Sequence, residues 1–182
     1  SQLAVAALTG DKVPEIIGIK AAGQVVVFDS KGNELAVSAE AAKTGGSFRD
    51  GGAAIANLDK TGVPEIVYGG MAVRFEAGKL TTLYNVSVTG GAWGVLSVIA
   101  DVDLDGKPDV VTGNQILEGL TGADKTPASV KSFGGGYVAI AQWDKSTPEP
   151  EVVLILSQSG TPGSLRVYHP KTGAVVFGPY TF

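Results

Sequence analysis

The chain contains no cysteine, which excludes disulfides, thiolate metal centres and a cysteine nucleophile. Its single histidine, His169, has no second imidazole or thiolate with which to build a zinc site, and it supplies no Ser-His-Asp triad. Charged residues make up only 18% of the sequence. Lys and Arg nowhere cluster, so no nucleic-acid surface and no attachment to an anionic membrane is indicated. No apolar run approaches the roughly 20 residues of a membrane span, and no signal peptide is recognisable. Any targeting segment is therefore expected to have been removed. The serines have no Gly-x-Ser-x-Gly around them. The glycine run at Gly134 precedes a strand pattern, which does not suit a phosphate loop. A carboxylate pair assembled in space for glycoside chemistry stays open.

What is present is a core-forming 44% of hydrophobic residues together with 26 glycines and 9 prolines spread along the chain. This composition fits one domain of short strands and tight turns. The same unit recurs four times: a small apolar strand, a polar loop, a Pro-acid pair and a second apolar strand. The pairs are Pro14-Glu15, Pro64-Glu65, Pro108-Asp109 and Pro150-Glu151. Third strands follow in "QVVVFDS", "MAVRFE", "QILEG" and "SLRVYHP", then turns holding Gly32, Gly78, Gly122 and Gly173. The fourth strands are "ELAVSA", "LTTLYNVSV", "SVKSF" and "AVVFGPYTF". Gly-Gly-x-aromatic junctions end at Phe48, Trp93 and Tyr137. No convincing helix is found; "AEAAKT" (39–44) is the nearest candidate.

Four short antiparallel strands repeating every 40–50 residues or so are the signature of a β-propeller blade. The predicted fold is all-β, a propeller of four four-stranded blades at about 1–44, 45–89, 90–133 and 134–182. The strand before each acidic loop, such as Ala54-Ile55-Ala56 or Ala139-Ile140-Ala141, is expected innermost.

The densest motif is Asp101-x-Asp103-x-Asp105-Gly106-x-Pro108-Asp109. With the three weaker copies, it resembles the FG-GAP/VCBS repeat family of integrin-like β-propellers across nearly the whole chain. The resemblance implies calcium binding through the side chains of Asp101, Asp103, Asp105 and Asp109 and the carbonyl of Lys107. The chemistry agrees: calcium takes oxygen ligands in flexible geometry, and clustered carboxylates need a compensating cation. In sequence, only Lys107 lies near enough to supply that charge from the protein. An EF-hand is excluded because position 12 is Thr112 and the flanks are strand-like. The second loop (Asn57, Asp59, Thr61, Glu65, with Gly62) is a weaker ion candidate. The fourth (Gln142, Asp144, Ser146, Glu151) and the first (Thr9, Asp11, Glu15) are expected to close by hydrogen bonds, their last acid accepting backbone N–H groups.

Phe48, Trp93 and Tyr137 are read as wedges between blades, and Trp143 as the apolar anchor of its loop, equivalent to Leu8, Leu58 and Val102. Arg49, Asp50, Arg74 and Arg166 read as solvated or inter-blade polar contacts. The resemblance implies a calcium-stabilised, non-enzymatic binding or adhesion scaffold, extracellular or on a cell surface, with a protein or glycan ligand. A lectin is the second reading, and a propeller-scaffold polysaccharide lyase or hydrolase the third. Four blades without a closing strand are expected to be a fragment or half-ring that associates through its end blades as a homodimer.

Overall fold

The computed structural model describes residues 3–44, 51–91, 94–156 and 162–182. Four antiparallel sheets follow one another along the chain, each with its strands in sequence order. Sheet one holds β1 (Ala4–Ala6), β2 (Glu15–Ile19), β3 (Val25–Phe28) and β4 (Glu34–Val37). Sheet two holds β5 (Ala54–Ala56), β6 (Glu65–Tyr68), β7 (Met71–Glu76) and β8 (Lys79–Asn85). Sheet three holds β9 (Ser97–Ala100), β10 (Asp109–Thr112) and β11 (Gln115–Glu118). Sheet four holds β12 (Tyr137–Ala141), β13 (Glu151–Leu156), β14 (Ser164–Tyr168) and β15 (Val175–Thr181). The glycines at the third-to-fourth turns, Gly32, Gly78, Gly122 and Gly173, all take positive φ, as a tight reversal demands.

The third sheet departs from expectation. "SVKSF" is not a fourth strand; Val130–Ser132 form a 3-10 turn instead. The chain begins to pair with β11, through a bridge between Leu117 and Asp124 and a bond from the Lys125 N–H to the Ile116 carbonyl. The Thr126 hydroxyl then accepts the Ile116 N–H at 2.9 Å, in place of a strand carbonyl. Pro127 follows, and with no N–H of its own it cannot extend the ladder. The buried Val130 plugs the gap.

The sheets stack in order. The first strands lie beside one another, β1 against β5, β5 against β9 and β9 against β12. The series does not close: β1 and β12 make no comparable contact. Strand alternation gives each sheet two apolar faces. One face looks forward to the next sheet and the other looks back. Ile17 and Val27 look forward from sheet one and join a cluster with the rearward Ile66 and Val73 of sheet two. Val111 and Ile116 look forward from sheet three onto the rearward Val152, Leu154 and Tyr168 of sheet four.

Of the junction aromatics, Tyr137 is half-buried, and a Cβ placed on Gly91 would lie 2.7 Å from its ring. Only glycine leaves room for the ring there, so Tyr137 wedges between units as expected. Phe48, Trp93, Arg49 and Asp50 lie outside the described residues. The Arg166 guanidinium stacks 4.4 Å from the Phe133 ring, a contact between neighbouring units.

Candidate metal centre

All four polar loops share one frame. The last acid of each (Glu15, Glu65, Asp109 and Glu151) is buried at the start of its second strand. Each accepts the backbone N–H of the loop's second residue. Leu8 donates to Glu15 at 2.6 Å, Leu58 to Glu65 at 2.8 Å, Val102 to Asp109 at 3.1 Å and Trp143 to Glu151 at 2.8 Å. The role expected for the first and fourth loops is thus common to all of them. A buried carboxylate needs such donors, because desolvation disfavours its charge.

The first three loops also trace one backbone path. Positive φ recurs at equivalent positions: Gly10 and Lys12, Lys60 and Gly62, Leu104 and Gly106. Leu104 pays a steric penalty there that glycine would not. Leu104→Gly is expected to raise stability by about 0.5 kcal/mol, after the entropy glycine loses on folding. A denaturant midpoint unchanged or lowered would contradict this.

In the third loop the carboxylates of Asp101, Asp103 and Asp109 offer oxygens that all lie within 4.8 Å of one another. Oxygens bound to one calcium at about 2.3–2.6 Å fall within that span, so the donor set fits the ion in chemistry and size. Asp101 also holds the turn, accepting the N–H of Asp105 at 3.1 Å and of Gly106 at 2.9 Å. Lys107 donates its N–H to Asp105 at 2.8 Å. The cation that pairs with these carboxylates is not Lys107, the one basic residue near in sequence.

That cation is Lys125, whose Nζ lies 2.5 Å from Asp103, 2.8 Å from Asp109 and 3.2 Å from Asp105. It reaches the loop because the bridge to Leu117 returns the chain beside β11. These carboxylates in turn raise the Lys125 pKa against the opposing effect of its burial. The ammonium thus pairs with two of the three clustered carboxylates, Asp103 and Asp109.

The second loop is charge-compensated differently. Arg74 on β7 donates to Glu65 from Nε at 2.9 Å and from Nη2 at 2.6 Å, and it also pairs with Asp59. Arg74 is therefore neither merely solvated nor an inter-blade contact; it is the internal cation of its own loop. The register places it directly across from Glu65, since Ile66 pairs with Val73. Strand pairing could have revealed it, whereas motif spacing could not. In the fourth loop Glu151 accepts the N–H groups of Trp143 and Asp144 and, at 3.1 Å, the Thr147 hydroxyl. In the first loop the Thr9 hydroxyl reaches Asp11 at 2.8 Å and Glu15 at 3.2 Å. Both close by hydrogen bonds, as expected.

Trp143 corrects another expectation. Its N–H serves the loop, but its side chain is 50% exposed, whereas Leu8, Leu58 and Val102 are 2%, 4% and 0% exposed. Two of the buried anchors sit at a groove with the following sheet. Leu8 meets the turn after β7 in a cavity with Phe75 and Gly78; Val102 meets Pro170 and Lys171 in one of about 220 Å³. Trp143 instead packs on Phe177 of its own sheet, with ring centroids 5.5 Å apart.

Hydrogen bonds also set the acid response. They hold the pKa values of Asp11, Asp59, Asp105 and Asp144 below the usual carboxylate range, chiefly through Val13, Thr61, Lys107 and Ser146. Asp109 moves the other way, raised by burial against the pull of Lys125. A lowered carboxyl gives stability that is present above its unfolded pKa and lost as pH falls through its folded value. A raised one works oppositely, between its unfolded and folded values. The lowered group is the larger, so thermal stability is expected to fall steadily as pH drops below about 4. A flat melting profile there would contradict this assignment.

No family model matches the chain, and no curated protein matches it. Solved structures do share its fold. It is similar to rhamnogalacturonan lyase YesW, with a TM-score of 0.70 and 22% identity over 98% of this chain and 39% of the lyase. The Bacillus licheniformis rhamnogalacturonan lyase PL11 gives 0.70 and 23%, over 97% of this chain and 39% of that one. The V. cholerae biofilm matrix protein Bap1 gives 0.67 and 20%, over 96% and 27%. The chain thus spans well under half the length of each of these neighbours.

Proposed function

We propose that the four sheets are consecutive blades of an FG-GAP/VCBS-like β-propeller, and that the chain is a non-enzymatic, extracellular polysaccharide-binding scaffold. On this reading the third loop takes calcium in exchange for Lys125. The observation that carries it is the convergence of Asp101, Asp103 and Asp109 within a span that suits one calcium ion, in a loop whose equivalents are closed by Arg74 or by hydrogen bonds. Among the described residues only the third loop gathers three carboxylates in this way, and the expected ligand Asp105 is not one of them.

The in-order stacking of sheets, with the first strands side by side, supports the blade assignment. Open grooves between neighbouring sheets support binding of an extended chain better than of a small enclosed substrate. Two neighbours act on rhamnogalacturonan and a third belongs to a biofilm matrix, which supports a polysaccharide as ligand and an extracellular setting. Non-catalytic binding is favoured because each loop's last acid is already committed to holding the frame. In addition, no helix among the described residues is long and apolar enough to cross a membrane.

Affinity electrophoresis through gels containing rhamnogalacturonan, with and without calcium, tests the proposal. The expected result is retardation in the pectic gel, weakened by chelator, with no unsaturated product released. Unretarded migration in both gels would overturn the polysaccharide reading. Release of unsaturated oligosaccharide would overturn the non-enzymatic one.

A further inference from the structure

We infer that the cavity between the third loop and the turn of sheet four takes the carboxylate of an acidic sugar once the loop holds calcium, with Lys125 and Lys171 as its cations. The inference rests on the calcium reading above and adds to it a second ligand and a coupling between the two. The cavity, of about 220 Å³, is lined by Val102, Asp103, Ile116, Lys125, Pro170 and Lys171. Pockets for drug-sized ligands run to roughly 300–1,000 Å³, so this one suits a single sugar residue. Val102, Ile116 and Pro170 are buried and give it apolar walls. A sugar ring has apolar C–H faces to set against such walls, which a bare inorganic anion lacks.

Lys125 and Asp103 belong both to the cavity and to the acidic loop. Without calcium the Lys125 ammonium is committed to Asp103, Asp105 and Asp109. An incoming carboxylate would then meet Asp103 at the cavity wall and no uncommitted charge on Lys125. Calcium on Asp101, Asp103 and Asp109 takes over those oxygens and reverses the local field. Lys125 then keeps only Asp105, the most exposed of its three partners at 40% and so the most weakly held. Its ammonium is released to a carboxylate in the cavity that it already lines.

Lys171 comes to the cavity from the neighbouring sheet. Its Nζ donates to Glu149 of the fourth loop at 2.6 Å, and Glu149 also faces the His169 Nε2 at 3.7 Å. Glu149 thus fixes the lysine beside the third loop. Glu149 does most to raise the Lys171 pKa, and Asp103 and Asp101 add to it from across the sheet boundary. That second contribution is the field calcium removes. With the clustered acids satisfied, Lys125 and Lys171 remain at the cavity, opposed by Glu149 and the exposed Asp105. A sugar carboxylate competes with these two, so an affinity of about 1 mM is expected. By reciprocity, calcium and the sugar must tighten each other's binding by the same factor.

Isothermal calorimetry of the chain with D-galacturonate, D-galactose and acetate, in calcium and in calcium-free buffer, tests the inference. D-galacturonate is expected to bind at about 1 mM in calcium and at least about 10-fold more weakly without it. Calcium should in turn bind at least about 10-fold more tightly in saturating D-galacturonate. D-galactose has no carboxylate and acetate has no ring, so each should bind at least about 10-fold more weakly than D-galacturonate. Lys171→Met should lose D-galacturonate yet take calcium more tightly, because a like charge has left the field; a lysine with a merely structural role would weaken both. D-galacturonate binding that is independent of calcium, or unchanged in Lys171→Met, would overturn the inference and leave calcium binding standing. Acetate bound as tightly as D-galacturonate would overturn the sugar as the ligand. A chain retarded by rhamnogalacturonan that takes no D-galacturonate keeps the polysaccharide reading and removes this site. No calcium heat in wild type removes both the site and the calcium reading.

Discussion

Glu65→Ala is expected to cost about 3 kcal/mol of folding stability, the figure for breaking a buried ion pair, discounted for the partly open Arg74. The Glu65 side chain is fully buried. Truncating it orphans the Leu58 N–H and leaves the Arg74 guanidinium with Asp59 alone. Glu15→Ala, in a loop whose acid holds an amide and a hydroxyl but no cation, is expected to cost less, about 1–2 kcal/mol. Glu65→Leu combined with Arg74→Met should recover much of the loss, because an apolar pair of similar volume needs no desolvation of charge. Denaturant unfolding of the three proteins checks the order. Equal losses for Glu65→Ala and Glu15→Ala would show that Arg74 contributes nothing to the frame.

The second large effect concerns Lys125. Lys125→Met removes the ammonium shared by Asp103, Asp105 and Asp109 and leaves the buried Asp109 without its counter-charge. Without calcium this variant is expected to lose about 2–3 kcal/mol. With calcium at 100 times its dissociation constant, binding to the folded state alone returns about 2.7 kcal/mol. The variant should also bind calcium on the order of 10–100 times more tightly than wild type, because the ion no longer displaces a resident cation. Melting curves with calcium and with chelator read both effects. A variant as stable as wild type in chelator would mean that Lys125 is not the charge holding the loop.

These two residues mark where sequence reading succeeds and where it stops. The repeat was legible because each unit carries its own local signals: a Pro-acid pair, an apolar strand on either side and a turn glycine at positive φ. The loop frame was legible for the same reason, its acceptor and donor lying seven or eight residues apart. The internal cations were not, because each comes from a different strand. Arg74 reaches Glu65 only through the β6–β7 register. Lys125 reaches Asp109 from 16 residues on, across a partial strand that the sequence presents as a complete one. The error over "SVKSF" and the omission of Lys125 are thus one error: the chain leaves β11 early, at Thr126-Pro127, after bringing Lys125 back to the loop. Trp143 differs again. Its place in the frame follows from alignment, but its exposure depends on whether another sheet covers it, which no local signal reports.

The central claim is that the third loop exchanges Lys125 for calcium. Isothermal calorimetry of wild type, Asp103→Ala and Lys125→Met against calcium tests it most directly. The account predicts one binding event in wild type, a tighter one in Lys125→Met and none in Asp103→Ala. No calcium heat in either wild type or Lys125→Met would contradict it, and would leave the Asp101–Asp109 cluster as a loop closed by a lysine alone.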